Sequence, residues 1–222
     1  MNRNDEVDDG TREVVPDDKA RSRVSASTVA RSVDEARSTV LAGLTVAFST
    51  DTVWGLGVRH DDAVAVQRVY RQKGRSQDKV LQVLCADASA VARLVDIPSF
   101  LEDDWRRVTA LWPGALTLVV PAAAACPAWL VKDGKVGIRM PNSREACDLL
   151  AACGGLLAAT SLNRSGEPSV YTFEAACDAD IADVVLPGPD AGQLASTVFD
   201  LPLRRVLREG ALSSSRLLEA LA

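Results

Sequence analysis

Histidine is almost absent from this chain. The 222 residues contain only His60, and the five cysteines, Cys85, Cys126, Cys147, Cys153 and Cys177, show no CxxC or other metal-ligand spacing. A zinc site or a Ser-His-Asp triad would have to be built around that one imidazole. His60 sits in the polar run Arg59-His60-Asp61-Asp62, which reads as a loop before a helix. An odd number of cysteines without a framework reads as packed or idle thiols in a reducing compartment. No apolar run approaches the roughly 20 residues needed to span a bilayer, and the N-terminus is acidic rather than a basic stretch leading into an apolar one. These absences point to a cytoplasmic protein without membrane contact. An excess of basic charge is lacking too: the formal charge is −5 and the pI about 5.0, which argues against a broad, nonspecific nucleic-acid surface. A local basic pocket is compatible with that balance.

What is present supports a sizeable core, since 47% of the residues are hydrophobic. Length alone allows one large domain or two small ones. Residues 1–27 contain no aromatic residue, mix acids and bases, and carry Gly10 and Pro16; they read as a disordered acidic tail before a folded part, 28–222. Ser32-Val33-Asp34-Glu35 is a capping-box pattern opening a helix with Val33, Ala36 and Val40 on one face. Leu44–Phe48 reads as a strand. Asp61 and Asp62 can cap a helix carrying Val64, Val66, Val69 and Tyr70, which Gly74 would stop.

Val80–Leu84 reads as a strand and Ala86–Val95 as a short helix. Ser99-Phe100-Leu101-Glu102, a second capping-box pattern, opens a helix that must end before Pro113. Leu116–Val120, Val136–Met140, Leu156–Thr160, Val184–Leu186, Thr197–Leu201 and Arg205–Leu207 are strand candidates. Ser143–Cys153, Thr172–Cys177 and Ser214–Leu221 read as helices. Strands and helices interleave without repeats or a long linker, the pattern of a single α/β domain.

Two short runs about ninety residues apart carry the chemistry: Lys73-Gly74-Arg75, with Lys79 close behind, and Ser161-Leu162-Asn163. Cations at the first and uncharged polar groups at the second suit a polyphosphate. Either tripeptide alone is ordinary surface chemistry, a solvated helix end or an Asx turn. The order of the surrounding runs is more specific: Ser49-Thr50-Asp51-Thr52-Val53-Trp54-Gly55-Leu56-Gly57, Leu111-Trp112-Pro113-Gly114-Ala115-Leu116-Thr117, Val136-Gly137-Ile138-Arg139-Met140-Pro141, Ser165-Gly166-Glu167-Pro168-Ser169, Ser196-Thr197-Val198-Phe199-Asp200-Leu201 and Leu207-Arg208-Glu209-Gly210. From about residue 30 to about residue 212 this set resembles the YrdC/Sua5 family, the L-threonylcarbamoyladenylate synthases that begin threonylcarbamoyl modification of adenosine 37 in transfer RNA.

The resemblance implies a twisted, mixed β-sheet flanked by helices with a concave ligand-binding face. It implies a nucleotidyltransferase acting on ATP, L-threonine and bicarbonate, with magnesium accompanying ATP and no tightly bound organic cofactor. The product would pass to a threonylcarbamoyl transferase acting on tRNA. Residue by residue, it places Lys73, Arg75, Lys79, Ser161, Asn163, Ser169 and Arg208 on the nucleotide and Thr50, Arg139 and Ser196 on the amino acid; no catalytic base and no protein metal ligand is assigned. Arg139 inside an apolar strand needs an anionic partner, which could also be a structural carboxylate. Asp51 has the residue type of a base and nothing to place it. Trp112-Pro113-Gly114 reads as architectural, and Trp54 and Trp129 as core.

Ser49 and Ser76 stand where the family usually has proline, and Leu162 where it has a small residue, which with Arg164 could alter nucleotide packing. Larger yeast-type and archaeal relatives carry a further C-terminal domain, for which the about ten residues after the last motif leave no room. Other readings are a module that binds double-stranded or transfer RNA on its concave face, and a YciO-like paralogue with different nucleotide chemistry. The acidic balance weakens the first, and direct tRNA binding is expected to be weak or absent; the late Ser196 and Arg208 disfavour the second.

Residues 1–25 have too little apolar content to join a core. Their removal should leave melting temperature and catalysis nearly unchanged; a large fall in melting temperature would place the domain boundary earlier.

Overall fold

A computed structural model describes residues 28–222; the expected tail lies outside them. The described residues form one α/β domain around a ten-stranded mixed sheet. In chain order the elements are β1 (Thr28–Val29), α1 (Val33–Leu41), β2 (Val46–Phe48), β3 (Gly55–Arg59), α2 (Ala63–Lys73), β4 (Gln82–Cys85), α3 (Glu102–Thr109), β5 (Leu116–Pro121), β6 (Lys135–Arg139), α4 (Arg144–Ala152), β7 (Leu156–Ser161), α5 (Phe173–Asp178), β8 (Val184–Val185), β9 (Thr197–Asp200), β10 (Arg205–Arg208) and α6 (Ser214–Leu221). The strand order is β1-β8-β2-β3-β7-β4-β6-β5-β9-β10. No helix among the described residues is long and apolar enough to cross a membrane.

Side chains alternate between the two faces of a strand, and here the faces have different fates. On one face Leu56, Val58, Val83, Leu116, Leu118, Val120, Ile138, Ala158 and Phe199 form the main core with Val66 and Val69 of α2, Val108 of α3 and Leu217 of α6. On the other, Val46, Phe48, Leu84, Leu157 and Ala159 pack under Ala36 and Val40 of α1 and Ala146, Leu149 and Leu150 of α4. Those two helices cover only one half of that face. Toward β6, β5, β9 and β10 it lies open, and there the binding cavity forms.

The cap patterns hold locally. Ser32 caps α1, Ser143 α4, Thr172 α5 and Ser213 α6. Asp62 caps α2 by accepting from Val64 N and Ala65 N, whereas Asp61 pairs with Arg59 at 2.9 Å. Gly74 closes α2 in the left-handed region, φ 59°, which glycine enters without the Cβ cost.

Two expectations fail. Ala86–Val95 is a series of turns: Asp87 Oδ1 takes the amides of Ser89 and Ala90 at 2.8 and 3.0 Å, as at a helix start, but the backbone then closes on bonds three residues apart, Ala92 N to Ser89 O at 3.1 Å and Leu94 N to Val91 O at 2.8 Å, and no α-helical ladder follows. Ser99–Leu101 is a 3₁₀ turn and α3 begins at Glu102 without a side-chain cap, so the second capping box does not form. His60 lies, as expected, in the turn between β3 and α2, and its side chain is buried there; desolvation lowers its pKa, and its carbonyl accepts from Trp129 Nε1 at 3.0 Å.

The sequence reading also omits β3. Its Gly55 and Gly57 lack strand propensity, yet they make room for the ring of Phe48: a Cβ on Gly57 would stand 2.8 Å from Phe48 Cε1. Gly57→Ala should therefore destabilise the protein by about 1–3 kcal/mol, measured by urea unfolding. Phe48→Leu in the same chain should recover part of that loss; strict additivity of the two would contradict the packing account.

Candidate functional site

The open half of the sheet forms the floor of a cavity of about 740 Å³, within the range of small-molecule sites. Ala159 and Ser161 of β7, Gln82 of β4, Lys135, Gly137 and Arg139 of β6, Thr117 and Val119 of β5, and Val198 and Asp200 of β9 line it. These alternate with the core residues of the same strands, so strand periodicity alone turns them to this face. β10 adds Arg205, Leu207 and Arg208. Arg208 gets there through a bulge: pairing with β9 shifts between Val206 and Arg208, so one extra residue turns Arg208 away from the face of Val206.

Although the chain carries net charge −5, Arg75, Lys132, Lys135, Arg139, Arg205 and Arg208 face the cavity against only Asp133 and Asp200. Lys135 is paired with Asp200 at 2.7 Å. Burial pulls the pKa values of Arg75, Arg139 and Arg208 downward. The arginines stay charged, so their desolvation is compensated most fully when an anion enters. Among the described residues no group of three His, Cys, Asp or Glu could hold a metal ion.

The two runs distant in sequence meet in space. Lys73, at the end of α2, is buried and its Nζ donates to the carbonyls of Ser161 and, at 2.5 Å, Asn163, with Asn163 Oδ1 3.5 Å away. Its ammonium, pushed down to about 8 by burial and then by neighbouring Arg75, thus clasps the exit of β7 and does not line the cavity. Arg75 does line it, braced by Nε to Lys79 O at 2.8 Å and Nη2 to Val80 O at 3.3 Å. Lys79 serves through that carbonyl, while its side chain is exposed and outside the cavity lining.

Ser161 and Ser169 line the cavity. Asn163 stands behind them: Oδ1 accepts from Ser161 Oγ at 2.5 Å, and Nδ2 donates to Arg164 O and Glu167 O at 2.9 and 2.8 Å. Leu162 faces the main core, so it shapes no ligand surface, and Arg164 is exposed. Ser76 bonds Asp78 in the exposed turn after Arg75. Trp54 is fully buried, and Trp129 packs against the core.

Arg139, 3% exposed, holds one end of the cavity. Nε donates to Gly114 O at 3.0 Å, Nη1 to Thr52 Oγ1 at 2.7 Å and Nη2 to Asp51 Oδ1 at 2.6 Å. The structural carboxylate and the ligand-facing position coexist in one residue. Asp51, also bonded by Asn142 N at 3.0 Å, is thereby placed as a brace. Gly114 presents its carbonyl because Trp112, joined to Pro113 by a cis peptide, is anchored in the core through Nε1 to Leu116 O at 2.7 Å. Thr50 does not line the cavity: its hydroxyl donates to Val53 O at 2.6 Å and accepts from Thr52 N at 3.1 Å. Ser49 donates its hydroxyl to Pro189 O at 2.6 Å.

Ser196 does line the cavity, buried beside Thr117 Oγ1 at 2.8 Å, with its carbonyl accepting from Arg208 Nε and Nη2 at 3.2 and 2.8 Å. Thr52, Gln82 and Thr117 were not singled out as site residues by sequence; the alternation of β4 and β5 was the signal that could have found the last two.

Lys73→Met should remove the donor to two carbonyls of the β7 exit and cost about 1–3 kcal/mol, read as a lower urea midpoint. An unchanged midpoint with lost ATP use would instead place Lys73 on the ligand.

A family model described as telomere recombination, and named for Sua5, YciO and YrdC, matches residues 38–210. The threonylcarbamoyl-AMP synthase of Bacillus subtilis (strain 168) is 36% identical over 182 residues, 78% of this chain and 51% of that protein. The protein of the same name from Chromobacterium violaceum is 35% identical over 179 residues, 78% of this chain and 90% of that protein. Among solved structures, P. abyssi Sua5 complexed with L-threonine superposes with a TM-score of 0.79 at 29% identity, over 86% of this chain and 57% of that one. E. coli YciO superposes with a TM-score of 0.73 at 25% identity, over 82% and 90%. The match of the family model to most of the chain, together with these relatives, places it: the protein belongs to the Sua5/YciO/YrdC family.

Proposed function

We propose that this protein is a threonylcarbamoyl-AMP synthase that joins ATP, L-threonine and bicarbonate into L-threonylcarbamoyladenylate and pyrophosphate, for modification of adenosine 37 in tRNA. The observation that carries the reading is the cavity itself, a cation-lined face in an acidic chain, with a buried arginine at one end and hydroxyls across the floor. Relatives at 35–36% identity bear that name.

Bicarbonate takes up a proton and loses water to give carbon dioxide, and the neutral amine of threonine adds to its carbon and releases a proton, forming a carbamate. A carbamate oxygen then attacks the α-phosphorus, forming a P–O bond as the bond to pyrophosphate breaks. Nucleophile and leaving group both come from the substrates, so the protein positions charge and keeps water from a labile mixed anhydride.

Arg139 has three of its five N–H groups bonded among the described residues and offers the rest to the threonine carboxylate. Arg75 and Arg208 take the phosphates, and Ser161 and Ser169 bond phosphate or ribose. Lys73 and Asn163 hold the β7 exit on which Ser161 stands. Magnesium enters with the triphosphate, and the product passes to a transferase that acts on tRNA.

Pyrophosphate release from ATP should require both L-threonine and bicarbonate. Turnover indifferent to threonine would defeat the synthase reading and favour a YciO-like activity. In the same assay Arg75→Ala should lower kcat/KM for ATP by about tenfold or more, the size of a charge-assisted contact of about 1.5–3 kcal/mol; unchanged kinetics would return Arg75 to a structural role.

A further inference from the structure

A chain of side-chain hydrogen bonds crosses the cavity floor and links Ser196 to two residues, Thr117 and Gln82, that have no role above. Gln82 on β4 reaches over Gly137 of β6, and its amide oxygen accepts from Thr117 Oγ1 of β5 at 2.9 Å. Thr117 Oγ1 in turn lies 2.8 Å from Ser196 Oγ, just ahead of β9. Gly137 lies beneath the passage: a Cβ there would make ordinary contact with Gln82 Cβ at 3.5 Å and Thr117 Cγ2 at 3.7 Å, between the two partners.

A hydroxyl has one proton to give. Thr117 gives its proton to Gln82, so at the next contact Ser196 must be the donor. Arg208 supports the same direction, because its Nη2, 3.4 Å from Ser196 Oγ, repels a hydroxyl hydrogen and favours a lone pair. Ser196 therefore faces the cavity with acceptor capacity and no proton. Thr52, the hydroxyl beside Arg139, is in the same state. Thr50 gives its proton to Val53 O, so Thr52 donates across their 3.0 Å contact, and Thr52 Oγ1 accepts from Arg139 Nη1.

We propose that Gln82 is a specificity-determining positioning residue: by fixing the relay Ser196 to Thr117 to Gln82 it makes Ser196 an acceptor that reads a hydroxyl donor on the amino-acid substrate. This rests on the synthase reading above. A substrate group meeting Ser196 must bring a hydrogen. L-Threonine does; its O-methyl ether has only lone pairs at that atom. Replacing Gln82 by methionine, whose thioether is only a weak acceptor, frees the Thr117 proton to turn toward Ser196, and Ser196 can then donate to the ether.

The test is the ratio of kcat/KM for L-threonine to that for O-methyl-L-threonine, measured by pyrophosphate release on each protein sample, so that any inactive fraction cancels. Gln82→Met and Thr117→Val should each lower the ratio by about fivefold to tenfold, the size of one neutral hydrogen bond. Gln82→Glu keeps an acceptor and should keep the wild-type ratio within twofold, even if its charge slows ATP use. A wild-type ratio retained in Gln82→Met overturns the inference and leaves the synthase reading intact. An equal fall in Gln82→Met and Gln82→Glu overturns the relay direction. Wild-type protein without threonine-dependent pyrophosphate release overturns the synthase reading and this inference with it.

Discussion

The guanidinium of Arg139 is the tie on which the site depends. An apolar strand is a costly place for a cation unless it is bonded throughout, and three residues from two separate segments meet that need: Asp51 and Thr52 from the loop after β2, and Gly114 from the turn before β5. Gly114 is held at the right height by Trp112, which packs edge-on against Trp105 with ring centroids 5.7 Å apart. Core packing, loop position and site charge are thus one construction. Removing one partner of such a buried pair exposes the other's desolvation, so the pair is best understood as a fixing point for two loops rather than as a source of net stability.

A second constraint is coverage. A sheet buries both faces only where helices reach, and α1 and α4 stop short of β6, β5, β9 and β10. The uncovered strands keep apolar residues toward the main core and turn glycine, hydroxyls, an amide and cations outward. A floor of short side chains next to guanidinium groups suits an anionic ligand. Against the overall acidity of the chain, this cationic lining is a local feature.

Much of this was legible in the sequence because helix caps and alternating strands are local. Asp62 and Gly74 bound α2 as their residue types require, and Val136–Met140 reads as a strand with Arg139 inside it. Strand β3 was hidden because its glycines serve a distant ring, Phe48. The turns after Asp87 were hidden because its cap-like bonds and the apolar spacing both suit a helix, whereas the backbone closes on bonds three residues apart. Site assignments by motif located the neighbourhood but not the orientation. Thr50, Lys73, Lys79 and Asn163 all lie at the site, yet Thr50 closes a turn, Lys73 and Asn163 secure the β7 exit, and Lys79 contributes a carbonyl. The direction of a hydroxyl or an ammonium depends on partners far away in sequence, which no single motif contains. The bulge that turns Arg208 inward is likewise a property of the β9–β10 register.

The central claim is that the uncovered half of the sheet is the substrate site, with Arg139 at its amino-acid end. A crystal structure with L-threonine and a nonhydrolysable ATP analogue bound tests it most directly. The account predicts the threonine carboxylate within hydrogen-bonding distance of Arg139 and phosphate oxygens at Arg75 and Ser161, with the Arg139–Asp51 pair intact. Ligands bound elsewhere on the protein, or a threonine carboxylate held by other cations with Arg139 untouched, would contradict it.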